Sequence, residues 1–342
     1  MPSSTGRVTR VIAIVAVFVL VVLAIWALGN GGRGGTTASG EPPVASPPTA
    51  GRTAGATAAI GSSSPAASSI PSSLAPDASA VLVGAGDIAD CSSSGDEATA
   101  DLLDKIDGTV FTLGDNAYEN GTAADFRECY GPTWGRQRDR TLPVPGNHDY
   151  NTPGAAGYFG YFGPAAGDSS TGYYATDLGA WRIYVLNSNC AEIGGCDAAS
   201  AQEQWLRDDL AAKHRACVLA LWHHPRFSSG EHGNDPRTQA LWQALDDAGA
   251  ELVLNGHDHD YERFAPQAPT GRADPSGGIV EIVAGTGGRS RYPFVRIRAN
   301  SLVRDNTTYG VLRLVLSEGG WSSEFIPVPG GTFTDSGSGT CH

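Results

Sequence analysis

The sequence predicts an α/β fold in which two sheets pack together with helices outside, over residues 79–330. Three observations predict it. Short apolar runs alternate with helix-like segments, as in a parallel sheet. The stretch "TGYYATDLGAWRIYVLNS" (Thr171–Ser188) interrupts that order with two alternating runs around "DLG", which reads as a β-hairpin. Composition also changes sharply near residue 79. Before it the chain has one apolar segment and a long stretch that cannot build a core.

Taken in order, "AVLVGAG" (Ala80–Gly86) is a buried strand. "SGDEATADLLDKI" is a helix with Leu102, Leu103 and Ile106 at helical spacing. "TVFTLGD" is the second strand, "FRECYGPTWG" a helix, and "RTLPVPGNHD" a strand ending in a turn. After the hairpin, "SAQEQWLRDDLAA" is a helix with Trp205 and Leu206 inward. "RACVLALWHHP" is a strand, and "RTQALWQALDDAG" a helix with a glycine stop. "AELVLNG", "GGIVEIVAGTGG" and "YGVLRLVLSEGGWSSEFIPV" supply the last strands, and residues 331–342 read as a C-terminal tail. There is no internal repeat.

Residues 1–28 and 29–78 are different in kind. Val11–Leu28 is an unbroken run of apolar residues, close to the ~20 needed to cross a bilayer. Arg7 and Arg10 precede it, which favours a cytoplasmic N-terminus. The expectation is a single-pass signal anchor with the body exported across the cell membrane. The alternative, cleavage near "ALG" (Ala27–Gly29), gives a secreted protein. Residues 29–78 are dominated by Gly, Ser, Ala, Thr and Pro, and predict a disordered tether.

The formal net charge is −13, and residues 1–78 carry four arginines against Glu41 and Asp77, which leaves the body about −15. Such a body is a poor partner for nucleic acid, and no basic stripe offsets it. A small phosphate ester remains compatible, because bound metal ions can dominate a local field. Six cysteines suit an exported, oxidised domain. The expected pairs are Cys190 with Cys196 across "CAEIGGC" and Cys91 with Cys129 across two loops, though spacing alone leaves other connectivities open. Cys217 reads as a buried thiol and Cys341 as a free one.

Each predicted core strand ends on the same kind of residue. Asp87 closes the first, and Asp115 with Tyr118 ("GDNAY") the second. Asn147, His148 and Asp149 ("GNHD") close the third, His223 and His224 ("HHP") a later one, and His257 and His259 ("GHDH") the next. A single "GD" or histidine pair is usually a turn or a loop. Five such motifs at successive strand ends converge on one rim of the sheet, where α/β folds bind ligands. Oxygen and imidazole donors without thiolate favour iron, zinc or manganese. The flanking glycines let the backbone turn sharply. His257 and His259, two apart in a strand register, would share one side, with Asp258 turned away or orienting an outer group.

The order "GD", "GDNAY", "GNHD", "HHP", "GHDH" resembles the calcineurin-like metallophosphoesterases, and Tyr118 three residues after Asp115 resembles their purple acid phosphatase branch. The resemblance implies a four-layer α/β/β/α sandwich with a two-metal centre. It implies one ion, iron(III) in that branch, on Asp87, Asp115, Tyr118 and His259. A second, divalent ion (zinc, manganese or iron(II)) would lie on Asp115, Asn147, His223 and His257, with Asp115 bridging. His148 would contact phosphate and protonate the leaving group, and Asp149 would orient His148. His223 is preferred to His224 because the family's ligand stands two residues before the proline, here Pro225. His232 is a phosphate contact or a solvated loop histidine. Arg226 and Arg263 are further phosphate candidates, with structural ion pairing the simpler role. The implied activity is hydrolysis of phosphate monoesters by a metal-bound hydroxide. The alternatives are a phosphodiesterase or nucleotidase with the same metals, and a non-catalytic surface-tethered metal-binding protein. Oligomeric state is not legible.

Overall fold

The computed structural model describes residues 79–342; the expected anchor and linker lie outside them. Among the described residues no helix is long and apolar enough to cross a membrane.

Thirteen strands among these residues form two mixed sheets. The first contains β1 (Ala80–Ala85), β2 (Thr109–Thr112), β3 (Thr141–Leu142), β11 (Gly310–Ser317), β12 (Gly320–Pro327) and β13 (Ser336–Thr340), in the order β13-β12-β11-β1-β2-β3. The second contains β4 (Tyr174–Leu178), β5 (Trp181–Val185), β6 (Cys217–Leu221), β7 (Leu252–Asn255), β8 (Tyr261–Phe264), β9 (Val280–Ala284) and β10 (Ser301–Asp305), in the order β10-β8-β9-β7-β6-β5-β4. The strands that lead into the five motifs, β1, β2 and β3 in one sheet and β6 and β7 in the other, pair in parallel within their sheets. β4 and β5 form the predicted antiparallel hairpin.

Alternation along the strands sorts side chains into layers. Leu82, Phe111, Leu312 and Leu314 of the first sheet meet Ile183, Leu219, Leu221, Leu252 and Ile282 of the second in one buried core. On the outer face of the second sheet, α3 (Ala201–Ala212) and α4 (Gln239–Asp247) bury Leu206, Leu210, Leu241, Trp242 and Leu245 against Val218, Ala220, Val253 and Val283. Of the pair Trp205 and Leu206, only Leu206 is fully buried, because neighbours in a helix cannot share one face. On the outer face of the first sheet, α1 (Gly95–Leu103) and α2 (Ala156–Phe162) pack with Phe126, Tyr130 and Trp134 against Val83, Ala85 and Val110. The segment predicted as a helix from Phe126 is a wide π-type turn, Phe126–Tyr130, followed by a 3₁₀ stretch, Trp134–Arg140. Pro132 and Gly131 between them prevent a continuous helix.

The C-terminal end departs from expectation. Residues 331–342, predicted as a tail, supply β13, which pairs antiparallel with β12. "SGSGT" hides it, since it has no apolar period for a strand to show. That pairing carries Cys341 to the start of β6, where it bonds Cys217. Neither cysteine is a thiol, because all six are in disulfides, and the predicted Cys91–Cys129 and Cys190–Cys196 pairs are both present. A sequence separation of 124 residues gave no hint of the third pair. Closing so long a loop is worth roughly 5 kcal/mol in the chain-entropy model and usually less in practice. A Cys341→Ser variant is expected to lose about 2–4 kcal/mol of stability, read from its urea midpoint, with amide protection falling first in β13. An unchanged midpoint would argue against the bond.

Candidate metal centre

The loops after β1, β2, β3, β6 and β7 open at one rim, and each brings a predicted residue there. Asp87, Asp115 and His257 adopt left-handed backbone conformations, φ +60°, +49° and +72°. Such conformations are uncommon outside glycine and concentrate at functional sites. His257 and His259 therefore do not address the rim from an extended strand. They sit on a bend between β7 and β8, a correction to the expected strand register. The flanking glycines have a steric reason. A Cβ on Gly146 would lie 2.0 Å from the backbone nitrogen of Asp115, and one on Gly114 2.5 Å from His223 Nδ1.

All seven predicted ligands converge, in two groups. Tyr118 Oη lies 3.0 Å from Asp87 Oδ1, 3.2 Å from Asp115 Oδ2 and 3.1 Å from His259 Nε2. His223 Nε2 lies 3.0 Å from Asn147 Oδ1, 3.2 Å from His257 Nδ1 and 3.3 Å from Asp115 Oδ2. Asp115 Oδ2 thus belongs to both groups. His223 Nδ1 donates to the Leu113 carbonyl and His259 Nδ1 to the Ser290 carbonyl, so both rings turn Nε2 toward the centre, where it offers a lone pair once deprotonated. Backbone carbonyls leave no mark in a sequence motif, so these anchors were not foreseen.

The charges show that the cluster is suited to cations. Burial disfavours the Asp115 carboxylate, but His223 and His148 outweigh it and hold the carboxyl well below its usual range. Burial likewise opposes the His223 imidazolium, yet Asp115 raises that pKa to about 9. His257 is pushed well below its usual value by burial and by His224 and His223. Burial, then Asp115 and Asp87, push the Tyr118 phenol well above its ordinary value, so an ionised phenolate there calls for a strong counter-charge. The donor set fits metal. Bonds of about 2.0–2.2 Å from oxygen or nitrogen to one ion place neighbouring donors about 3.0–3.4 Å apart, which is the spacing within each group.

His148 stands at the edge of the centre, half-buried. Its Nδ1 lies 2.7 Å from the Glu119 carbonyl and its Nε2 4.0 Å from Asp115 Oδ2. Asp149 does not contact it. The Asp149 carboxylate is buried, accepts from Asn116 Nδ2 at 2.8 Å and from the Gly146 amide at 2.8 Å, and has its other oxygen unpartnered. It therefore holds the "GNH" turn rather than orienting His148. Burial, reinforced by Asp115, raises its pKa to about 7. A carboxyl raised on folding stabilises the fold when protonated. That contribution is full below about pH 3.8 and is lost as pH rises through about 7. Melting of metal-free protein should accordingly weaken from pH 4 to pH 8, and Asp149→Asn should flatten that slope. Parallel slopes in the two proteins would contradict the assignment.

His232 is exposed and stacks on His257 with ring centroids 4.1 Å apart. The loop carrying it is pinned by Asp258, which accepts from Ser228 Oγ and from the His232 amide, so Asp258 does face away from the centre. Arg263 is held by Asp335 at 2.6 and 2.9 Å, away from the phosphate role. Arg226 is buried, with its Nη2 donating to Gln239 and to the Pro269 carbonyl and no ion pair among the described residues. Two residues went unpredicted. Tyr292 stacks on His259 with centroids 3.9 Å apart, and the Arg289 guanidinium lies 4.6 Å from the centre of the Tyr118 ring while pairing with Asp90 and Glu119.

A two-sheet α/β fold with this rim is the architecture of the metallophosphoesterases. A family model described as calcineurin-like phosphoesterase matches residues 74–261, and the chain belongs to that family. Within it the chain is similar to purple acid phosphatase 15 of Arabidopsis thaliana, 27% identical over 227 residues, covering 56% of this chain and 42% of that protein. It is also similar to purple acid phosphatase 22 of the same plant, 34% identical over 123 residues, covering 34% of this chain and 27% of that protein. The chain thus spans less than half the length of these curated relatives. Among solved structures, purple acid phosphatase PPD1 from yellow lupin (Lupinus luteus) seeds superposes with a TM-score of 0.62 at 18% identity, covering 76% of this chain and 53% of that one. GAP50, the anchor in the inner membrane complex of Plasmodium, superposes with a TM-score of 0.60 at 14% identity, covering 77% and 89%. These two show the shared fold. The homologues imply a dimetal centre.

Proposed function

We infer that the chain is a metal-dependent phosphatase that hydrolyses phosphate monoesters, with two ions sharing Asp115. The observation that carries this reading is the division of seven donors into two groups joined by one carboxylate oxygen. One ion would be held by Asp87, Asp115, Tyr118 and His259, and the other by Asp115, Asn147, His223 and His257. Tyr118 supports iron(III) at the first place, and zinc, manganese or iron(II) suits the second. When bound, such a pair supplies Lewis acidity and lowers the pKa of water.

The chain's own residues do the rest. The Glu119 carbonyl fixes the His148 ring through Nδ1–H, so that the imidazolium form would hand its Nε2 proton to the departing alcohol oxygen and be left neutral. His232, exposed and stacked on His257, would donate to a phosphoryl oxygen. Asp149 keeps the turn that carries Asn147 and His148. Three disulfides support an oxidising, exported location. With the apolar segment Val11–Leu28, they support a membrane-anchored enzyme whose N-terminus is cytoplasmic.

Metal analysis, a visible spectrum and turnover of p-nitrophenyl phosphate against its bis ester test this together. The expected result is two ions per chain, a tyrosinate–iron(III) band lost in Tyr118→Phe, and faster hydrolysis of the monoester. Faster hydrolysis of the bis ester would transfer the site to phosphodiesterases. Two ions without turnover of either ester would favour a binding protein.

A further inference from the structure

The His223–His224 pair hides a difference in proton placement. His224 contributes a ring nitrogen to a group with His223 and His257 whose donor atoms all lie within 4.8 Å of one another, so proximity alone would make it a third imidazole ligand. Its hydrogen bonds say otherwise. Ser188 is fully buried, and its Oγ accepts from the His224 backbone N–H at 3.0 Å. The remaining hydroxyl proton has one acceptor among the described residues, His224 Nδ1 at 2.8 Å. Nδ1 therefore accepts, and the ring proton sits on Nε2. His223 and His259 have the opposite arrangement, with Nδ1–H tied to a carbonyl. His224 is a donor where its neighbours are ligands.

That ring lines a cavity of about 200 Å³ beside the centre. Asn147 lines it as well. Asn151, whose Nδ2 lies 3.4 Å from His148 Nδ1, places it on the side of the proton donor. Asn189, Cys190, Ala191 and Glu192 also line it, at the start of the loop closed by the Cys190–Cys196 disulfide. Glu192 is exposed and makes no ion pair among the described residues. Arg237, also in the wall, is already gripped by Asp235 through Nε and Nη2. The wall therefore carries amide and imidazole hydrogen-bonding groups and one uncompensated negative charge. The volume is below the usual range of drug-sized pockets, so it suits a small group.

We propose that this cavity holds the alcohol portion of the phosphate ester, that His224 Nε2–H donates to it, and that Glu192 selects a small, neutral, hydroxyl-rich alcohol against an anionic one. The proposal rests on the phosphatase reading of the neighbouring centre and adds the class of substrate. Hydroxyl groups can both donate to Glu192 and Asn189 and accept from His224. A carboxylate or a second phosphate in the same place meets the like charge of Glu192 at close range.

The test compares sn-glycerol 3-phosphate with 3-phosphoglycerate, which differ by a hydroxymethyl group against a carboxylate, on the metal-loaded full chain. The parent is expected to prefer glycerol phosphate by about tenfold or more in kcat/KM, and Glu192→Gln to shrink that ratio at least fivefold. His224→Ala should raise KM for glycerol phosphate about tenfold while keeping two ions per chain, and His224→Gln should recover part of the loss. Equal use of both esters by the parent, an unchanged ratio in Glu192→Gln, or loss of an ion in His224→Ala would each overturn the proposal and leave the phosphatase reading standing. Failure to hydrolyse either ester while p-nitrophenyl phosphate is turned over would do the same. Absence of turnover on all three esters would overturn both.

Discussion

Replacing Asp115 with asparagine is expected to remove at least one ion per chain and to lower kcat/KM by about 10³-fold, roughly 4 kcal/mol of transition-state stabilisation. The reason is its place as the shared node. Its Oδ2 reaches Tyr118 Oη and His223 Nε2, one in each donor group, and its Oδ1 accepts from the His148 amide at 2.8 Å. An amide keeps the shape but supplies no charge to share between two cations, and one of its two donor atoms becomes an N–H. The metal-free protein should respond in the opposite sense for His223. Without the carboxylate, burial is opposed only by Asp87 and the Leu113 carbonyl, so the raised pKa should fall. Metal content by elemental analysis and the His223 titration by NMR measure the two effects separately. A variant that keeps two ions and parental turnover would remove the basis for a shared centre.

The second large effect is expected at His148. A His148→Gln variant should retain both ions, since His148 lies outside both donor groups, yet lose about 10²–10⁴ in kcat on alkyl phosphates, the usual range for a lost general acid. The loss should shrink on p-nitrophenyl phosphate, because p-nitrophenolate departs readily without a proton. That contrast is the diagnostic. An equal fall on both esters would point to phosphate binding, and no fall would leave proton delivery to another group. The hydrogen bond from Nδ1 to the Glu119 carbonyl also makes the ring direction depend on backbone rather than on Asp149. Asp149→Asn should accordingly leave the dependence on leaving group unchanged.

Much of the site was legible because metal ligands must follow strands that end at one rim, and those strands announce themselves as short apolar runs. "GDNAY", "GNHD" and "GHDH" then fix which side chains are available, and the structure brings all seven together. What failed was local inference from register. His257 at φ +72° is on a bend, where alternation carries no information. Asp149 follows His148 in the chain yet turns away to Asn116 and Gly146, because a tight turn separates adjacent side chains. β8 and β10 were not foreseen, since "YERF" and "SLVRD" are too short and too polar to show a period.

The sequence by itself determined most of the core strands and helices, the two-sheet class and which donor side chains are available, because hydrophobic period and residue chemistry are local properties of a chain. Only the tertiary structure decided which donors face each other, which ring nitrogen each imidazole turns toward the centre, and that Cys217 bonds Cys341. Those outcomes turn on backbone carbonyls such as Leu113, Ser290 and Glu119, and on contacts between residues more than a hundred positions apart. Every residue has a carbonyl, so its presence in a sequence says nothing about where it will point.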